Sequence, residues 1–117
     1  MSLPLIQRIA SQVRTDFEAR RINENTLEQL YQAYNPLLDI GLFLKRAKEL
    51  FPCLNCGLTT VYLKHLFRDG EIIRGKYCNN NHTFLLLEDS IIVDITSDQY
   101  GGPKVYAGPL QSPWLLG

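Results

Sequence analysis

In the first half of the chain, apolar residues recur three and four positions apart. Leu5, Ile6, Ile9, Val13 and Phe17 follow this spacing, with Arg8, Arg14, Asp16 and Glu18 between them, and predict an amphipathic helix. Asn23, Glu24 and Asn25 interrupt the pattern. Asn25 has the short acceptor side chain of a helix cap, and Glu28 three residues on fits a capping box. Leu27, Leu30, Tyr31 and Tyr34 then lie at i, i+3, i+4 and i+7. Asn35-Pro36 restarts the chain, with proline at a first-turn position. Phe43, Ala47, Leu50 and Phe51 carry a helical stripe to Pro52, which ends it because proline lacks an N–H and crowds the preceding turn. A third helix is predicted from Cys56 or Gly57 to about Phe67. Leu58, Val61, Tyr62, His65 and Leu66 form one face, Leu63 and Phe67 add apolar groups elsewhere, and only Thr60, Lys64 and Arg68 offer a polar edge. Such a helix is expected at the centre of the fold with most of its surface covered.

After Asp69-Gly70 the texture changes to short β-type runs at 71–77, 83–87 and 91–96, separated by Asn, Asp, Ser and Gly, with a fourth expected at 104–107. Helices first and strands second predict an α+β fold with an antiparallel sheet rather than alternating βαβ units. A length of 117 residues suits one domain, 1–117, able to fold without a disulfide or a metal. The tail, 108–117, holds two prolines and the only tryptophan, and is expected to lie as a loop on the surface.

Charge and composition narrow the function. Twelve Lys and Arg balance twelve Asp and Glu, which removes the electrostatic footprint of a nucleic-acid binder. The one basic cluster, Lys45, Arg46 and Lys48, reads as a solvated helix face. No apolar run is long enough for a membrane span, and the N-terminus lacks the basic start and apolar core of a secretory leader, so the expected location is the cytoplasm. Three cysteines, an odd number, argue against a disulfide framework and leave reduced thiols to be explained.

Cys56 stands at the predicted start of the central helix, where unpaired N–H groups and the helix dipole favour a thiolate. The same residue also fits a small apolar core position. A nucleophilic cysteine needs a base. His65 lies nine residues along the same helix, and nine steps of about 100° turn it away from Cys56. His82 instead opens the apolar run Thr83-Phe84-Leu85-Leu86-Leu87, and a titratable ring at the mouth of a buried strand suits a general base. Asp94 is the single acid in a β-branched run. If the turn at 88–90 joins the two strands as a hairpin, a three-residue loop is expected to set position 82 opposite position 94, where the carboxylate would orient the ring. The alternative is an edge-facing Asp94 without a partner.

Three segments resemble a family. Cys56-Gly57-x-x-Thr60, followed by Leu63 and Leu66, resembles the nucleophile helix of the papain-like cysteine peptidase superfamily. The resemblance is to its small bacterial members of the peptidoglycan-peptidase and transglutaminase-like type. His82-Thr83-Phe84 resembles their His-x-aromatic strand, and Asp94-Ile95-Thr96-Ser97-Asp98-Gln99-Tyr100-Gly101 resembles their Asp-Ile-Thr-x-Asp-Gln-Phe-Gly segment. The resemblance implies a papain-like α+β core with Cys56 as nucleophile on the helix, His82 as base and Asp94 as third member on adjacent strands. It implies thioester chemistry on a peptide or protein amide, whether hydrolysis, deamidation or acyl transfer, without a cofactor. For the oxyanion, the Cys56 N–H is the expected donor, with Asn55 and Gln99 as further candidates for oxyanion or substrate contact.

Rival arrangements use the same residues. Cys53-x-x-Cys56 followed by Cys78-x-x-x-His82 has the spacing of a closed tetrahedral zinc site in a metal-stabilised binding module. It leaves the segment from Asp94 to Gly101 unexplained, and the apolar content does not require a metal. A thioredoxin-like use of Cys53-x-x-Cys56 expects a strand feeding the motif, whereas an apolar helix and Pro52 precede it. A catalytically silent papain-like interaction domain is a further alternative. Tyr100, Tyr106 and Trp114 suit a substrate rim, a partner surface, or core and tail packing.

Overall fold

The computed structural model describes residues 1–117. Four helices come first: α1 (Leu3–Glu18), α2 (Glu24–Tyr34), α3 (Ile40–Leu50) and α4 (Cys56–Phe67). Side-chain caps explain the starts of the first three. Ser2 Oγ accepts the Leu5 N–H at 3.4 Å, Asn23 Oδ1 accepts that of Thr26 at 3.0 Å, and Asp39 Oδ1 that of Leu42 at 3.0 Å. The second helix is therefore capped by Asn23, not Asn25, and the third by Asp39 rather than opened by Pro36. Between them, Gln32 ties down the link by donating to the Leu37 carbonyl and accepting the Leu37 N–H. The helix of Cys56 is consequently the fourth.

The second half forms β1 (Glu71–Tyr77), β2 (Asn80–Leu86), β3 (Ile91–Asp94), β4 (Tyr106–Pro109) and β5 (Trp114–Leu115). They make one antiparallel sheet in the order β4-β3-β2-β1-β5. The α+β expectation with an antiparallel sheet stands. The tail corrects it in detail. Trp114 and Leu115 are not a surface loop but an edge strand paired with Tyr77 and Lys76 of β1. No helix is long and apolar enough to cross a membrane.

The two faces of the sheet bury different cores. Leu85 and Val93 face the helices with Leu58, Val61, Leu63, Ala10 and Val13. Phe84 and Ile92, one residue out of phase, face the other side with Ile73, Tyr77 and Trp114. By the same alternation His82 and Asp94 belong to this second face. The expected central helix is buried along its first two turns only. Leu58, Thr59, Thr60, Val61 and Leu63 are buried, while Leu66 is 43% exposed and His65 lies at the surface. Thr60, expected on a polar edge, is buried and donates to the Cys56 carbonyl at 2.6 Å.

Layer and sheet are also joined by charge. Arg14 of α1 is buried and grips Asp98 with both terminal nitrogens, at 2.7 and 2.9 Å, while donating to the Ile95 carbonyl at 2.9 Å. This fixes the segment that follows Asp94 onto the helices.

Candidate active site

Asp94 is the last residue of β3, and its carboxylate is buried at 2% exposure. Burial of a charge is tolerated only where donors surround it. Here Oδ2 accepts from His82 Nε2 at 2.7 Å and from the Trp114 indole at 2.8 Å, and Oδ1 accepts the Thr96 N–H at 3.0 Å. The reading of Asp94 as an unpartnered edge residue does not hold. The pairing with His82 is real but its register differs from expectation. The three-residue turn, 88–90, pairs Leu86 with Ile92 and Leu85 with Val93. Continued, that register sets Phe84 opposite Asp94. His82 lies two residues beyond, so the two meet diagonally on the same face, within reach of an imidazole.

Trp114 carries a role that the sequence alone did not assign. It is 4% exposed, stacks on Tyr106 at 4.1 Å between ring centres, and closes the Asp94 carboxylate from the C-terminal strand. Tyr100 is half-buried, stands edge-on to the His82 ring at 5.4 Å and donates to the Asn81 carbonyl at 3.1 Å. These aromatics therefore enclose the His–Asp pair rather than form an exposed rim.

Cys56 is the first residue of α4 and half-buried. No side chain caps this helix start, so its N–H groups are open to an incoming anion. Burial opposes the thiolate, but His82 and the N–H and hydroxyl of Thr83 outweigh it and hold the Cys56 thiol below its ordinary value. The reciprocal effect acts on the ring. Burial disfavours the imidazolium, yet its bonds to Asp94 and its interaction with Cys56 raise His82 to about 9. With Nε2 engaged by Asp94, Nδ1 is the nitrogen left to serve the thiol. Nδ1 is buried and has no other protein partner, and the Cys56 thiol lies close enough to it to help raise the ring. Thr83 was visible only as a strand residue; its contact with the thiol depends on how α4 meets β2.

Cys56, His82 and Thr83 line one cleft of about 450 Å3, walled by Tyr31, Tyr34, Phe43 and Leu54. Neither other oxyanion candidate lines it. Asn55 is buried and spends both amide hydrogens on the carbonyls of Ala47, at 2.8 Å, and Cys53, at 2.7 Å, so it braces the turn before α4. Gln99 sits in the short helical turn Ser97–Tyr100, its Nε2 buried without a protein acceptor. The zinc arrangement is not assembled. No three of Cys53, Cys56, Cys78 and His82 gather into a metal-holding group, because Cys53 and Cys78 sit exposed in separate turns. The strand that a thioredoxin-like motif expects is also missing, since α3 precedes Cys53.

No family model, curated protein or solved structure matches this chain.

Proposed function

We propose that this protein is a papain-like cysteine hydrolase or acyl transferase acting on an amide bond. One observation carries the reading. A buried histidine has one nitrogen fixed by a buried carboxylate at 2.7 Å and the other free toward a cysteine at an uncapped helix start. A purely structural histidine would have no reason to leave a buried nitrogen unsatisfied.

In this mechanism Cys56 and His82 rest as a thiolate–imidazolium pair, with Asp94 holding the ring and stabilising its charge. The thiolate attacks the amide carbonyl carbon, and the C=O electron pair moves onto oxygen. The Cys56 N–H and its helix-start neighbours stabilise that oxyanion. His82 then gives its proton to the departing nitrogen as the C–N bond breaks, leaving a thioester on Cys56. Water, or a second amine, gives a proton to His82 and attacks the thioester, releasing an acid or a new amide and restoring the pair.

The pH dependence follows from the two shifts. Thiolate forms as pH rises through the lowered Cys56 value, and the proton that His82 must donate is lost as pH rises through about 9. Alkylation by iodoacetamide, mapped to each cysteine by mass spectrometry, tests the first limb. Cys56 is expected to react faster than the more exposed Cys53 and Cys78 at about pH 6, where an ordinary thiol is almost wholly protonated. His82→Gln should remove that advantage. Reaction of Cys56 no faster than the other two, unchanged in His82→Gln, would refute the mechanism.

A further inference from the structure

The cleft of Cys56 holds one charged group that the chemistry above does not use. Arg74 of β1 pairs in register with Thr83 of β2, the residue whose N–H and hydroxyl meet the Cys56 thiol. Register partners in an antiparallel pair present their side chains on the same face, so the guanidinium arises beside the nucleophile. Arg74 lines the same cleft as Cys56 and His82.

Arg74 is also held in place. Its Nε donates to the Tyr34 hydroxyl at 3.0 Å, and its Cζ lies 4.8 Å over the Tyr34 ring. Both contacts use the inner part of the guanidinium and one aromatic face. The two terminal nitrogens keep their hydrogens free, and no carboxylate forms an ion pair with them. The other arginine stacked on an aromatic ring differs here: Arg14, 4.7 Å over the Phe51 ring, is neutralised by Asp98. No Asp or Glu lines the cleft, whose only other cation is the His82 imidazolium.

A guanidinium that is pre-oriented and unneutralised presents a planar fork that matches a carboxylate, with little rotamer freedom left to lose. We propose that Arg74 is a specificity-determining residue, selecting an amide substrate that carries a free carboxylate while its apolar part rests on Tyr31, Tyr34 and Phe43. This rests on the reading of Cys56 as nucleophile. A chain-terminal carboxylate and an acidic side chain share this chemistry. Substrates with a cationic group at that position are disfavoured by repulsion.

The test compares alkylating agents that share the iodoacetyl group and differ in the carboxylate they carry, on the full chain with its three cysteines. Iodoacetamide is the neutral reference. Iodoacetylglycine carries a terminal carboxylate, and the iodoacetyl derivative of aspartic acid α-amide carries a side-chain one. For each, the rate at Cys56 relative to iodoacetamide is compared with the same ratio at Cys53 and Cys78. At least one anionic reagent is expected to be favoured at Cys56 by about tenfold, the scale of one charge-assisted bidentate contact. The favoured one identifies the source of the carboxylate. Arg74→Gln should abolish the preference, read as each anionic reagent's rate divided by the iodoacetamide rate at the same cysteine of the same variant. Tyr34→Phe, which keeps the ring and removes the hydroxyl, should weaken it. An Arg74→Gln protein with an unchanged anionic preference, or a wild-type protein with none, overturns the assignment. Because the preference is a ratio, it is read whether or not Cys56 is activated, and slow iodoacetamide labelling at about pH 6 would count against the nucleophile alone.

Discussion

Asp94 illustrates how much chemistry one residue concentrates. Its two oxygens take three N–H donors, two on Oδ2 from His82 and Trp114 and one on Oδ1 from Thr96. A carboxylate accepts in every direction, whereas an amide of the same shape must point its NH2 at one set of donors. Asp94→Asn therefore forces a donor against a donor in either orientation. The expected cost is about 1–3 kcal/mol, the desolvation penalty of a buried group left unpaired, measured as a lower denaturant midpoint. Labelling of Cys56 at about pH 6 should slow as well, since the carboxylate is a main support of the His82 charge. An unchanged midpoint would show that the site relaxes around the amide. The residue types were legible in sequence. Cys56 at a helix start, His82 at a strand mouth and a lone acid in a β-branched run all stand out against their neighbours. The contacts of Thr83 and Trp114 were not, because nothing local marks them.

At the scale of elements, the short C-terminal strand controls the site from a distance. β5 packs so closely on β1 that a Cβ at Gly75 would lie 2.1 Å from the Leu115 carbonyl oxygen. Space, not backbone conformation, demands glycine there. Gly75→Ala must push β5 outward and draw Trp114 away from Asp94, at an expected cost of about 1–3 kcal/mol for overpacking. Trp114 is the only tryptophan, so its emission reports the event directly. A red shift and faster acrylamide quenching are expected, and an unshifted spectrum would show that the strand yields without releasing the indole. Helix and strand periods predicted most elements. The tail escaped because a two-residue edge strand has no period to detect, and its pairing with β1 depends on residues some forty positions earlier. The hairpin register went astray by two positions although the loop has the expected three residues: a turn centred on Asp89 sets Phe84 opposite Asp94, and the even slip keeps His82 on the same face.

Across the whole molecule, one buried ion pair sets how the helical half meets the sheet. Arg14 and Asp98 are 84 positions apart, and their side chains are 6% and 18% exposed. Arg14→Met leaves Asp98 half-buried without its partner and removes the bond to the Ile95 carbonyl. The expected loss is about 2–4 kcal/mol, below the full value for a deeply buried pair because Asp98 keeps some solvent. Glu18, on the exposed side of the same arginine, should change stability by about 0.5 kcal/mol or less when replaced by Ala. Thermal melts of the two variants check the contrast, and equal effects would mean that Asp98 contributes little.

The sequence by itself determined the class of the fold and the chemical types at the site. Periodicity separates helix from strand, and thiol, imidazole and carboxylate are covalent facts of the chain. Only the tertiary structure decided which groups touch. It joined His82 to Asp94 on the diagonal, turned Asn55 inward, separated the thiols that zinc would need, and brought Trp114 to the Asp94 carboxylate and Arg74 to the cleft of Cys56. Local pattern fixes the direction in which a side chain leaves its own element, while the meeting of two side chains depends on packing between segments remote along the chain.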